Sequence, residues 1–111
     1  MEVDIDRVAV LATSEEEAKH LFAFLDSLGY RWASGFSLRV NDTRWNMHNV
    51  NSTYAIYKSK GFGDRNRVCV GTLEYCQRVH NDFHLFYSVD DFMSKYDARC
   101  QPISLDIGDV L

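Results

Sequence analysis

Cys76, His80 and His84 stand four residues apart, which on one continuous helix would set a thiol and two imidazoles on one side, the donor types of a zinc site. Asn81-Asp82 and the strand-like run Phe83 to Tyr87 break any such helix before His84, and no fourth ligand stands nearby. These three are therefore read as ordinary polar and half-buried residues, with no metal assigned. The segment Gly61-Phe62-Gly63-Asp64-Arg65-Asn66-Arg67 holds two glycines and two arginines, a composition that can wrap a phosphate in backbone amides while guanidinium groups pair its oxygens. It lacks the full GxGxxG and the Walker lysine pattern, so the favoured reading is a turn between strands.

Aromatic rings and arginines share the centre of the chain. Trp32, Phe36, Trp45 and Tyr57 lie among Arg31, Arg39, Arg44, Arg65 and Arg67, the mixture used by base-stacking surfaces and by protein-binding hot spots. Alternation puts Tyr30 and Trp32 on one face of a strand, where one face must be buried, and Trp45 is the ring expected outside. Catalytic patterns are missing: there is no Gly-x-Ser-x-Gly elbow, no HExxH pair and no Cys-His pairing of known spacing. No cofactor is assigned.

The elements that must carry these residues begin with an apolar, partly β-branched run at residues 5–12, of strand length. Ser14 followed by Glu17 forms a capping box, and Glu15, Glu16 and Glu17 suit the positive end of a helix dipole rather than a metal. Ala18, Leu21, Phe22, Leu25 and Leu28 then recur at helical steps, and Gly29 ends the helix. Tyr30 to Ala33, a Ser34-Gly35 turn and Phe36 to Val40 read as a hairpin, followed by an Asn-rich loop from 41 to 53.

Tyr54 to Lys58 and Arg67 to Val70 are strands around the Gly61 to Asp64 turn. Leu73 to His80 is a short helix or a loop with one turn; residue types alone leave both open. Phe83 to Tyr87 is a strand, and Ser88 caps a short helix through Asp91, Phe92, Lys95 and Tyr96. The tail at 97–111 alternates apolar and polar at Ile103 to Ile107, a pattern fit for an edge strand or a mobile end. The expected fold is α+β: one domain over residues 1–111, a mostly antiparallel sheet of about five strands, one long amphipathic helix and a short C-terminal helix.

At 111 residues and 46% hydrophobic content the chain can bury a core without metal or disulfide. The net charge of −4 divides unevenly: residues 1–30 carry −5, residues 31–67 carry +5 and residues 68–111 carry −4. A basic centre between acidic flanks suits an anionic partner or simple neutralisation within the fold. Three cysteines without CxxC spacing, no signal-like start and no apolar run of membrane length lead to the expectation of a cytoplasmic protein with reduced thiols and no membrane partner.

The run Val8-Ala9-Val10-Leu11-Ala12-Thr13-Ser14-Glu15-Glu16-Glu17-Ala18, and then Leu25-Asp26-Ser27-Leu28-Gly29-Tyr30-Arg31-Trp32-Ala33-Ser34-Gly35, resembles the opening of many small bacteriophage and prophage proteins. Their pattern is a strand, a capped helix, a glycine, an aromatic, a tryptophan and a Ser-Gly turn; Tyr87 to Phe92 resembles their closing strand and short helix. The likeness implies an accessory protein of a phage or mobile element, made in a bacterial cytoplasm, that binds and blocks a host system in the manner of anti-CRISPR proteins.

Two functions follow as expectations. The first is a non-catalytic inhibitor that docks on a host defence protein through the basic, aromatic centre, with Arg31, Arg39, Arg44, Trp45, Phe62, Arg65 and Arg67 as contact residues. The second is a module that captures a nucleotide or nucleic acid, with Arg65 and Arg67 on phosphate and Trp45 or Phe62 stacked on a base. No residue pattern sets an oligomeric state.

Overall fold

Val8, Ala9 and Val10 are all buried, so β1 (Val8–Leu11) has apolar cover on both faces and belongs at the interior of a sheet. A computed structural model describes residues 5–59 and 65–97 of the protein and shows why. β1 lies between β3 (Ser52–Ser59), antiparallel to it, and β5 (His84–Phe86), parallel to it. β4 (Arg65–Thr72) pairs antiparallel with β3 along its length, and β2 (Arg31–Trp32) lies parallel to β4 at the far edge. The order is β2-β4-β3-β1-β5. The expected α+β fold with five strands and a mostly antiparallel sheet holds, since the two parallel ladders are the short ones at the edges.

The first helix, α1 (Glu15–Ser27), is set by its ends. The Ser14 hydroxyl accepts from the Glu17 amide at 3.2 Å, while the Glu17 carboxylate reaches back one residue further than a standard capping box and accepts from Thr13, at its amide (2.9 Å) and its hydroxyl (3.0 Å). At the other end Gly29 has φ of +87° and donates to the Asp26 carbonyl, and Tyr30 donates to the Leu25 carbonyl. That 5→2 and 6→1 pair is a Schellman stop, which needs a left-handed residue where glycine stands. Tyr30 is thereby turned inward, its hydroxyl donating to the Ile5 carbonyl.

Leu73 to His80 resolves as a helix, α2 (Leu73–Val79), with the Thr72 hydroxyl accepting from the Tyr75 amide at 3.1 Å. Among the described residues there are thus three α-helices, one more than the sequence reading counted. The third, α3 (Val89–Tyr96), starts as expected at Ser88, whose hydroxyl accepts from the Asp91 amide at 3.0 Å.

Alternation sorts the sheet into two faces. Val8, Val10, Tyr54, Ile56, Val68 and Trp32 enter the core with Ala18, Leu21, Phe22 and Leu25 of α1 and with Val89 and Phe92 of α3. Phe22 meets Trp32 and Tyr54 edge-on, each at 5.2 Å between ring centroids, and Phe92 meets Phe24, Phe86 and Tyr96. On the opposite face α2 sits near Ala9 and Leu85, with Cys76 buried.

The expected hairpin is the main departure. Trp32 donates to the Phe36 carbonyl and Arg31 bridges Ser37, but pairing stops there and no strand forms over residues 36–40. Of the alternating residues only Leu38 finds cover; Phe36 and Val40 are exposed. β2 takes β4 as its partner instead, which seats Trp32 against Phe22. The 41–53 loop also ends earlier than expected, with Ser52 and Thr53 already paired in β3. The Gly61 to Asp64 turn and the tail from residue 98 lie outside the described residues. Among those described, no helix is long and apolar enough to cross a membrane.

Candidate binding surface

The chain between β2 and β3, residues 33–51, is pinned at its middle. Thr43 is buried and its carbonyl accepts from the Tyr54 hydroxyl at 2.8 Å. The Trp45 indole N–H donates to the Ala12 carbonyl at 3.0 Å, and the Ser52 hydroxyl donates to the Trp45 carbonyl at 2.9 Å. Trp45 is therefore half-buried against the core rather than the exposed ring the sequence suggested. A donor-only indole that finds a carbonyl is more stable inside than in water.

Between the anchors stands Arg44, with φ of +59° in the left-handed region. A non-glycine residue there costs about 1–2 kcal/mol. The turn lays the Arg44 guanidinium over the Trp32 ring, 4.3 Å from its centroid, and a cation–π contact of this kind offsets about 0.5–2 kcal/mol.

Arg44 thereby closes one side of an open basin of about 590 Å³, lined by Arg31 and Arg39 on the other sides, with Trp32, Phe36 and Asp42 between them. The Arg31 guanidinium donates to the Ser37 hydroxyl at 3.2 Å and to the Gly35 carbonyl at 3.4 Å, which holds it at the rim. None of the three arginines forms an ion pair within the described residues. Phe36 is 69% exposed beside them, and Val40, Met47 and Val50 of the same loop are exposed as well. Three arginines that form no ion pair among the described residues and an open aromatic ring present donors and apolar area of the chemistry that pairs with anionic, partly apolar groups.

Of the residues expected to bind, Arg31, Arg39 and Arg44 come together here. Arg67 faces Arg31 across the β2–β4 ladder, is half-buried and donates to the Asn66 carbonyl at 3.2 Å, outside the basin lining. Arg65 opens β4, and Phe62 lies outside the described residues. Phe36 and the platform ring Trp32, named in the aromatic and arginine mixture but left out of the expected contact set, line the basin with the three arginines; the Phe36-x-Leu38-x-Val40 alternation reads as a strand in the sequence.

The sulfur–imidazole trio does not assemble. Helix α2 ends at Val79, the His80 ring stacks near Phe83 at 4.6 Å, and His84 sits on β5 in register with Val8, on the face opposite Cys76. Among the described residues no group of three histidine, cysteine or acidic side chains converges.

Cys76 is 3% exposed and its thiol donates to the Thr53 carbonyl at 3.8 Å. Burial, with Cys69 beside it, pushes the thiol from 9.0 up to about 11; burial also raises Cys69. Both thiols therefore stay protonated near neutrality, a poor state for a nucleophile. Because the folded-state value is the higher one, this contribution is complete below the unfolded value and is lost as pH rises through the folded one. Folding stability is expected to fall by about 2–3 kcal/mol between about pH 8 and pH 11 from Cys76 alone. Urea midpoints across that range should show it, with Cys76→Ala flattening the decline.

Comparison of the chain with protein-family models, with curated proteins and with solved structures finds no match.

Proposed function

We propose that the protein works by binding rather than by catalysis, seating an acidic surface of a partner protein in the Arg31, Arg39 and Arg44 basin with Phe36 as the apolar contact. The convergence of three arginines that lack a carboxylate partner carries this reading. The rest of the chain favours a protein over a nucleic acid. Net charge is −4, and the basin is a compact positive focus rather than the long groove that tracks a nucleic-acid strand. The partner class follows the resemblance of the opening strand and helix to phage accessory proteins: a host defence protein, inhibited by occlusion in the anti-CRISPR manner.

A second reading, capture of a nucleotide or nucleic acid, is favoured by Phe36 alone, an open ring beside guanidinium groups on which a base can stack. Affinity-tagged recovery from a bacterial lysate separates the two. A stoichiometric protein that the native chain retains and the Arg31→Glu, Arg39→Glu variant does not is the expected result. Bound nucleic acid whose release follows a steep salt dependence would support the second reading, since phosphate contacts release counterions. A partner held equally by both forms would refute the basin as the docking site.

A further inference from the structure

The Trp32–Arg44 stack has a second side. A hollow of about 280 Å³ is lined there by Trp32, Ala33, Arg44, Met47, Val68 and Val70, and it opens onto the outer edge of β4. β2 covers that edge only as far as Val68: Ala33 donates to the Val68 carbonyl at 2.9 Å, and the chain then turns away as Gly35 donates to the Trp32 carbonyl. In an antiparallel strand alternate residues turn both backbone polar groups to the same edge. With Val68 bonded to β2, the Val70 amide and carbonyl face outward at the same edge, and among the described residues no bond reaches them from that side. An uncapped strand edge of this kind accepts another strand.

We propose that an extended, acidic segment of the partner protein adds as a strand to β4 at Val70, placing one apolar side chain in the hollow and its carboxylates against Arg44 and the basin arginines. This rests on the basin being a docking site and specifies how it is used. Charge selects the occupant. A second copy pairing edge to edge would bring two such arginine clusters together, whereas an acidic strand meets guanidinium groups that lack a carboxylate partner. Continuity supports it too, since basin and hollow share Trp32 and Arg44 and so adjoin.

The probe is a blocked hexapeptide of alternating glutamate and valine, with two copies N-methylated on either the glutamates or the valines, and one copy with lysine for glutamate. Amide exchange and chemical shifts of the 111-residue chain are followed by NMR. The plain peptide is expected to slow exchange at the Val70 amide about tenfold or more. One N-methylated copy should bind as the plain peptide does, its methyls facing solvent, and the other at least about tenfold more weakly, because only one edge of a strand bonds its neighbour. The lysine copy should not bind.

Equal binding of both N-methylated copies, with shifts at Arg31 and Arg39 but none at Val70, would overturn strand addition and leave the basin reading standing. No shift at either place up to millimolar peptide would sink both. Slow Val70 exchange in the protein alone also overturns the proposal: loss on dilution assigns the edge to a second copy, and loss on deleting residues 98–111 assigns it to the chain's own end.

Discussion

Phe22→Ala is expected to lower folding stability by about 3–5 kcal/mol, the usual range for removing a buried aromatic ring from a packed core. Phe22 is fully buried and contacts Trp32 and Tyr54 edge-on, so one ring joins α1 to β2 and β3. A domain of this size is stabilised by about 5–15 kcal/mol in all, so the variant loses a large share of the total. The damage also spreads toward the basin, since Trp32 is the platform under Arg44. Phe22→Leu, which keeps most of the volume, should cost far less. Urea unfolding followed by tryptophan fluorescence measures both, and a loss below about 1 kcal/mol for the alanine variant would contradict the packing described.

The second large effect is on association. Arg31→Glu with Arg39→Glu leaves Arg44 on Trp32 and reverses the two other positive charges of the basin, beside Asp42. Binding of the recovered partner should weaken by more than about a hundredfold, which is about 2.7 kcal/mol, because acidic groups would then meet glutamates. Folding stability should move by less than about 0.5 kcal/mol, since both side chains are exposed and form no ion pair among the described residues. Surface plasmon resonance and a thermal melt on the same preparation read the two quantities. Unchanged affinity with an unchanged melt would refute the basin as the contact surface.

Local signals in the sequence were reliable where the interaction that sets the structure is itself local. Ser14 and Glu17, Gly29, and Ser88 mark helix ends through bonds spanning three to five residues, and each stands where expected. The failures are choices between distant partners. Tyr30 to Val40 has good hairpin composition, but Arg31 pairs with Arg67, thirty-six positions on, and the competition between those pairings is invisible in either segment. Trp45 looks exposed in an Asn-rich loop because its partner, the Ala12 carbonyl, belongs to another element.

The basin was legible in kind and not in shape. Arg31, Arg39 and Arg44 could be named from the crowding of arginine and aromatic residues. Their convergence depends on the left-handed backbone at Arg44 and on Thr43 being held under the Tyr54 hydroxyl. Phe36 reads as part of a strand with Leu38 and Val40, because alternation counts apolar residues without asking whether a core awaits them, and only Leu38 found one.

The pinning of residues 33–51 by Thr43, Trp45 and Ser52 divides that loop into parts with separate duties. Its anchors belong to the folding core and tolerate little change. Phe36 and Val40, ahead of the anchors, and Met47 and Val50, between Trp45 and Ser52, project into solvent, and substitutions there leave the framework untouched. The ordering cost of the loop is met when the chain folds, so a partner meets a preformed relief and association loses little further entropy. Under the proposed docking role, such an arrangement would let the exposed tips be redrawn for a different target without touching the sheet that carries them.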